Sequence, residues 1–197
     1  MGANDADLAA ILNNLGGLYR DQKDYPRSEG YYRRALLIDQ TALGPEHPYT
    51  ATDLNNLAGL LREKGELKES EPLYVQALAI RTKVLGGAHP LIAKTLSGLA
   101  ELSAQQGNYR KAENLLKQAI TIQRQALGGE HPDLATTFDL LGTVYIKEGK
   151  IPDARKMFDD CIAIRIRTLS PTHPDLKLAY IHSARADQLV GSPAKRL

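Results

Sequence analysis

Leu43-Gly44-Pro45-Glu46-His47-Pro48, followed five residues later by Leu54-Asn55-Asn56-Leu57-Ala58, decides the fold because it comes back. His-Pro stands at His47-Pro48, His89-Pro90, His131-Pro132 and His173-Pro174, each pair 42 residues after the last. Apolar columns keep the same step, at Leu12, Leu54, Leu96 and Phe138 and at Leu15, Leu57, Leu99 and Leu141. Small residues recur at Gly16, Ala58, Ala100 and Gly142, at Ser28, Ser70, Ala112 and Ala154, and at Ala35, Ala77, Ala119 and Cys161. A period of this length marks a stacked-repeat architecture, in which each unit buries its apolar face only against its neighbours.

Each repeat reads as two amphipathic helices. In the second repeat Leu54, Leu57, Ala58, Leu60 and Leu61 recur at helical spacing, and Leu73, Tyr74, Ala77, Leu78 and Ile80 do so again after the turn. Gly65, Gly107 and Gly149 punctuate the pairs, where glycine suits the left-handed residue that closes a helix. The first repeat has Lys23 there, an expected cost of up to about 1 kcal/mol and a looser turn. Pro48, Pro90, Pro132 and Pro174 fit the first helical position, where the missing N–H is no loss. First helices are predicted near 5–22, 48–64, 90–106 and 132–148, and second helices near 25–43, 67–85, 109–127 and 151–169. The expected layout is one domain over 1–190, with repeats at about 5–46, 47–88, 89–130 and 131–172. A ninth helix over 174–190, with Lys177, Arg185, Asp187 and Gln188 outward, caps the stack, and 191–197 reads as a flexible tail. The N-terminal end has no comparable cap, as expected of a piece of a longer array.

Composition narrows the class. The 197 residues carry a formal charge of +2 and 43% hydrophobic residues, with no apolar run of the roughly 18 residues a membrane helix needs. Such a balanced charge gives no concentrated basic face for nucleic acid. Met1-Gly2-Ala3-Asn4-Asp5 has no basic segment and no apolar stretch after it, so it is not read as a secretory signal. Cys161 is the only cysteine, which leaves no internal disulfide and favours a reducing cytoplasm.

The run Leu43-Gly44-Pro45-Glu46-His47-Pro48 … Leu54-Asn55-Asn56-Leu57-Ala58, with Glu69-Ser70-Glu71-Pro72-Leu73-Tyr74 and Ala77-Leu78-Ala79-Ile80-Arg81 after it, resembles the tetratricopeptide domain of kinesin light chains and their bacterial relatives. Tyr19-Arg20-Asp21-Gln22 in the first repeat is similar too, and the likeness spans about residues 5–174. Repeats of this kind are usually about 34 residues; the eight extra here amount to about one helical turn per helix. The resemblance implies an all-α, right-handed superhelical solenoid of four helix-turn-helix repeats plus the capping helix. It implies a non-enzymatic adaptor whose concave groove takes short linear peptides. It does not imply motor transport, because the long heptad segment through which kinesin light chains bind the motor is not among these residues.

In such a stack the first helices line the groove, at i, i+3, i+7 and i+10. The stripe is Ala10, Asn13, Gly17 and Arg20; then Thr52, Asn55, Gly59 and Arg62; then Lys94, Ser97, Glu101 and Ala104; then Thr136, Asp139, Thr143 and Ile146. An asparagine amide both donates and accepts, so Asn13 and Asn55 can hold an extended backbone without reading its sequence. The resemblance places a peptide-contacting asparagine at these two positions, while Ser97 and Asp139 depart from it. The alternative is bonding between neighbouring helices. Arg20 and Arg62, helped by Lys94, favour an acidic ligand if they are not merely solvated, and Glu101 and Asp139 reverse the sign further along. Gly17 and Gly59, each costly in mid-helix, either make room for a ligand or admit the next first helix.

Other constellations carry no chemistry in this reading. The recurring histidines lie about one repeat apart, too far to share an ion, and serve as helix caps; no metal or cofactor is expected. Cys161 sits in an alanine column and reads as buried filler. The tyrosines fall mostly at core spacing. The competing reading is a structural scaffold that self-associates through its solenoid ends.

Overall fold

Proline at the first helical position and glycine past the last turn cut the chain into rods of similar length. The computed structural model of the protein describes the backbone of residues 3–191 and the side chains of residues 7–189. Among the described residues there are nine helices and no strand: α1 (Ala3–Asp21), α2 (Tyr25–Ala42), α3 (Pro48–Glu63), α4 (Leu67–Leu85), α5 (Pro90–Gln105), α6 (Tyr109–Leu127), α7 (Pro132–Lys147), α8 (Ile151–Thr168) and α9 (Pro174–Gly191). These bounds follow the expected ones to within about two residues. Gly191, expected in the tail, ends α9, and 192–197 lie outside the described residues.

The histidines cap. The Nδ1 atoms of His47, His89, His131 and His173 accept from the backbone N–H two residues on, at 3.1–3.2 Å. Each satisfies one orphan donor of a helix start, the service an N-cap side chain provides. The turns between paired helices are equally uniform. Gly65, Gly107 and Gly149 have φ near +80°, and Lys23 takes the same left-handed conformation at φ 60°. Lys23 N–H donates to the Arg20 carbonyl and Asp24 N–H to the Tyr19 carbonyl, both at 2.9 Å; in the next repeat Gly65 N–H reaches Arg62 O at 3.0 Å and Glu66 N–H reaches Leu61 O at 2.8 Å. The expectation of a looser first turn is therefore corrected. Neighbouring hydrogen bonds hold the lysine in the glycine geometry, and the cost appears as backbone strain.

Two compact units form, residues 1–87 with α1–α4 and residues 88–197 with α5–α9. Within each, paired helices meet where a small residue faces a large one. A Cβ on Gly16 would lie 2.6 Å from the Tyr32 ring, and one on Gly142 would lie 2.5 Å from the Phe158 ring. Ser28 and Ser70 lie buried and donate back to the Gly16 and Ala58 carbonyls, each at 2.7 Å. In the second unit Leu116, Leu134, Phe138, Leu141 and Phe158 belong to one continuous apolar cluster that extends to Ala179 and Ala186 of α9. The first unit has smaller clusters, around Tyr32, Leu57, Leu60 and Leu61, around Ala51, Leu54, Ala77 and Ile80, and around Ala9, Leu12 and Ala35. It also buries Asp39, Asp53, Asn55 and Arg81. Cys161 is fully buried in the second unit's cluster, and burial pushes its thiol up to about 12, so it stays protonated and inert.

Candidate functional site

First helices meet along seams, and the contacts have a fixed offset. Asn13 of α1 meets Asn56 of α3, Arg20 of α1 meets Glu63 of α3, and Asp139 of α7 meets His182 of α9, each 43 residues apart. A residue on one first helix thus touches the residue one place beyond its own column on the next.

In the first unit this seam is polar. Asn13 Nδ2 donates to Asp53 Oδ1, and Asn13 Oδ1 accepts from Asn56 Nδ2 at 2.8 Å. Seven residues on, about 10 Å along the helix, Arg20 makes a two-pronged pair with Glu63, with Nε to Oε2 at 2.9 Å. That pairing raises the Arg20 guanidinium further above its ordinary value and holds the Glu63 carboxyl below its own. Arg62 also approaches Glu63, at 3.8 Å. Beside Asn13 a cavity of about 220 Å³ opens, walled by Asn13, Asn14, Thr52 and Asn56 and by Asp39, Asp53, Tyr49 and Ala10.

Two of the cavity walls are acids. Asp39 is 4% exposed and Asp53 1% exposed. They bond to each other, and Asp53 is pushed up to about 8 by burial first and by the Asp39 charge second, while burial also raises Asp39. Two carboxylates at hydrogen-bond distance cannot both ionise cheaply, so the pair holds a proton between them. The expected groove residues divide around this cavity. Asn13 and Thr52 line it. Asn55 is buried and accepts from Arg81 at 3.3 Å, and Thr52 accepts from the same guanidinium at 3.4 Å. The expectation that Asn55 lies open on the groove stripe is thereby corrected: at 6% exposure its amide is taken up within the fold.

Gly59 lies against a side chain of the neighbouring first helix, one of the two expected occupants, and Gly17 lies near a tyrosine. A Cβ on Gly17 would lie 3.6 Å from the Tyr32 hydroxyl, and one on Gly59 3.3 Å from the Tyr74 hydroxyl and 3.7 Å from the Arg20 guanidinium. Gly59 thus leaves tight space for Tyr74 of its own repeat's second helix, while a side chain at Gly17 would meet Tyr32 only in ordinary contact.

The second unit builds its seams differently. Lys94 is exposed on α5, and the Ser97 hydroxyl is buried with no hydrogen-bond partner among the described residues. Between α5, α6 and α7 a cavity of about 160 Å³ is walled mainly by Ala100, Ala104, Leu116, Leu140 and Val144, with Glu101 and Thr143 among its polar members. Thr143 is exposed and donates to the Asp139 carbonyl at 3.0 Å. Asp139 is buried, 2.8 Å from His182 Nδ1, so it bonds α9 and does not stand open to a ligand as the stripe expected.

Asp39, Asp53, Glu63 and His182 escaped the sequence reading. The signal was in the columns. Asp53 stands where the next repeats have Thr95 and Thr137, and Asp39 where they have Arg81, Gln123 and Arg165. An acid in a buried column whose other members are not acids marks a special site.

Comparison with known proteins agrees with the fold. The tetratricopeptide repeat family matches residues 7–83, 54–125 and 91–167. Among solved structures, the nearly identical TPR-like repeats of a Podospora anserina kinesin light chain-like protein are 25% identical, with TM-score 0.78 over 96% of this chain and 90% of that one. BtubC (BKLC) from P. vanneervenii is 22% identical, with TM-score 0.81 over 95% of this chain and 74% of that one, and shares the fold. No curated protein matches in sequence.

Proposed function

The chain belongs to the tetratricopeptide repeat family, and on that premise we propose that it is a non-enzymatic, cytoplasmic adaptor holding short linear peptides on the faces of its first helices. One observation carries the reading. The α1–α3 seam opens a cavity of about 220 Å³ whose rim is built from amide and hydroxyl side chains, Asn13, Asn14, Thr52 and Asn56. Such groups donate and accept at once, which suits an extended main chain whose sequence is not being read. In the second unit Glu101 and Thr143 line a mostly apolar cavity, which suits an apolar side chain, and Lys94 offers an exposed cation. Gly59 shapes the first unit's face by admitting the Tyr74 hydroxyl, and Gly17 lies near the hydroxyl of Tyr32. Buried Asn55 and Asp139 support the faces from behind through Arg81 and His182.

An acidic residue of the ligand docks at Arg20 and Arg62 in this reading, in competition with Glu63. Selection of peptides on the intact chain, followed by amide shift mapping, tests the proposal. Bound peptides are expected to shift Asn13, Asn14, Thr52 and Asn56, and Glu63→Gln is expected to tighten acidic peptides several-fold by releasing Arg20. Ligands that map to the outer sides of α2 and α4 would overturn it.

A second reading, self-association as a scaffold, has its own observation. Leu8, Ile11 and Leu18 of α1 are 43–57% exposed. They occupy the columns of Thr50, Asp53 and Leu60, which α3 buries to 1% or less. Since α3 packs on α2 through this side, α1 shows the face on which another repeat would dock. Light scattering that finds a dimer, lost in Ile11→Glu, would favour the scaffold; a monomer at every concentration would remove it.

A further inference from the structure

The cavity beside Asn13 has more acceptors than its own walls use. Asp39 Oδ1 and Asp53 Oδ2 are both buried, and among the described residues neither receives a hydrogen bond from a donor outside the pair. A buried carboxylate oxygen left in this condition is costly. The fold does not require it, because the same two columns hold Arg81 with Thr95 and Gln123 with Thr137 further along. The groups facing the pair are Asn13 and Asn14 from α1 and Tyr49, Thr52 and Asn56 from α3. His47, just before α3, also bears on Asp39. Arg81 of α4, on the helix behind, gives hydrogen bonds to Asn55 and Thr52. Among the described residues no third carboxylate, histidine or cysteine joins the pair to make a metal site. Tyr49, 60% exposed, stands in the same wall and offers an aromatic face at the mouth.

We propose that this cavity receives the guanidinium of an arginine in the partner peptide, seated on the Asp39–Asp53 pair with Tyr49 at the rim. A guanidinium supplies five donors in a plane and no acceptor, which complements two carboxyl groups and two occupied amides. Its flat face suits the tyrosine ring. The volume of about 220 Å³ admits such a head group. On seating, the proton shared by the pair goes to solvent, and the charge it leaves is matched by the arginine. Affinity therefore rises with pH until the free pair has already lost that proton. The proposal rests on the α1–α3 seam being a peptide-binding face, and it adds the residue that the face selects.

The test is an NMR titration of the ¹⁵N-labelled full chain with acetyl-Gly-Arg-Gly-amide and with the same peptide carrying citrulline, a neutral isostere. The arginine peptide is expected to shift the side-chain amides of Asn13, Asn14 and Asn56 saturably, at least about tenfold more tightly than the citrulline peptide. Its affinity should rise several-fold from pH 6.5 to pH 8. Asp53→Asn, which keeps the hydrogen bond from Asn13, should remove the arginine preference. Equal binding of the two peptides, or an Asp53→Asn variant with the preference intact, would overturn the proposal. The two readings fail separately. Selected peptides that map to the seam but tolerate citrulline would end the arginine proposal alone, whereas peptides that map elsewhere would end the seam reading.

Discussion

The two units hold one acid column alike, Glu29 with Lys64 and Arg33 in the first as Glu113 with Lys150 and Lys117 in the second, and they differ at Asp39 and Asp53. In the second unit, Glu113 is held by Lys117 at 2.6 Å, by Lys150 at 2.7 Å and by the Tyr145 hydroxyl at 3.3 Å. Those partners draw its carboxyl down to about 2. Buried Asp139 has His182, and the Arg165 guanidinium donates to the Asp175 carbonyl at 2.8 Å. In the first unit, Asp39 and Asp53 face each other, and Asp53 is pushed up to about 8. Compensated charge locks helices together. The difference teaches that the repeat supplies a frame, within which single columns carry residues that the frame itself does not require.

Core truncation should show the largest contrast. Phe158→Ala in the continuous cluster of the second unit should cost about 4 kcal/mol, and Tyr32→Ala at the same column of the first unit about 3. Denaturant unfolding of both variants checks this, and an equal or larger loss for Tyr32 would undo the contrast between the cores.

Next comes the acid pair. The folded state holds the Asp53 proton between about pH 4 and pH 8 while the unfolded chain does not, so this contribution to stability falls as pH rises through that window. In Asp53→Asn the amide oxygen can still accept from Asn13 and the amide nitrogen can donate to Asp39. The variant should be about 1 kcal/mol more stable than the parent at pH 8, with the gap closing near pH 4. Glu113→Gln should behave with the opposite sign. Its carboxyl is lowered, so its contribution is complete above the ordinary carboxylate range and disappears as pH falls toward about 2. The variant should lose about 0.5 kcal/mol at pH 7, because the lysine partners are exposed, and nothing in strong acid. Thermal melts across pH read both trends.

The smallest effect is Lys23→Gly, which should relieve the left-handed strain at φ 60° and add about 0.5 kcal/mol. An unchanged melting temperature would mean that the lysine adopts that conformation at no cost.

The helices, their caps and their turns were readable from the sequence because each is dictated locally. Pro48 starts α3, His47 caps it and Gly65 ends the turn beyond it, whatever lies across the interface. The candidate site was readable only in part. The stripe rule found Asn13 and Thr52 but assigned Asn55 to the open face. Whether an i, i+3 position faces solvent depends on the long residue opposite it, here Arg81, which reaches Asn55 from another helix. Asp39 and Asp53 lie on α2 and α3, and only packing brings the two together.

The most direct measurement is a carbon-13 NMR titration of the aspartate and glutamate carboxyls from pH 2 to pH 9. The account predicts that the Asp39–Asp53 pair retains one proton until the pH exceeds 7, while Glu113 is already ionised well below pH 4. Full ionisation of both Asp39 and Asp53 by pH 5 would contradict it.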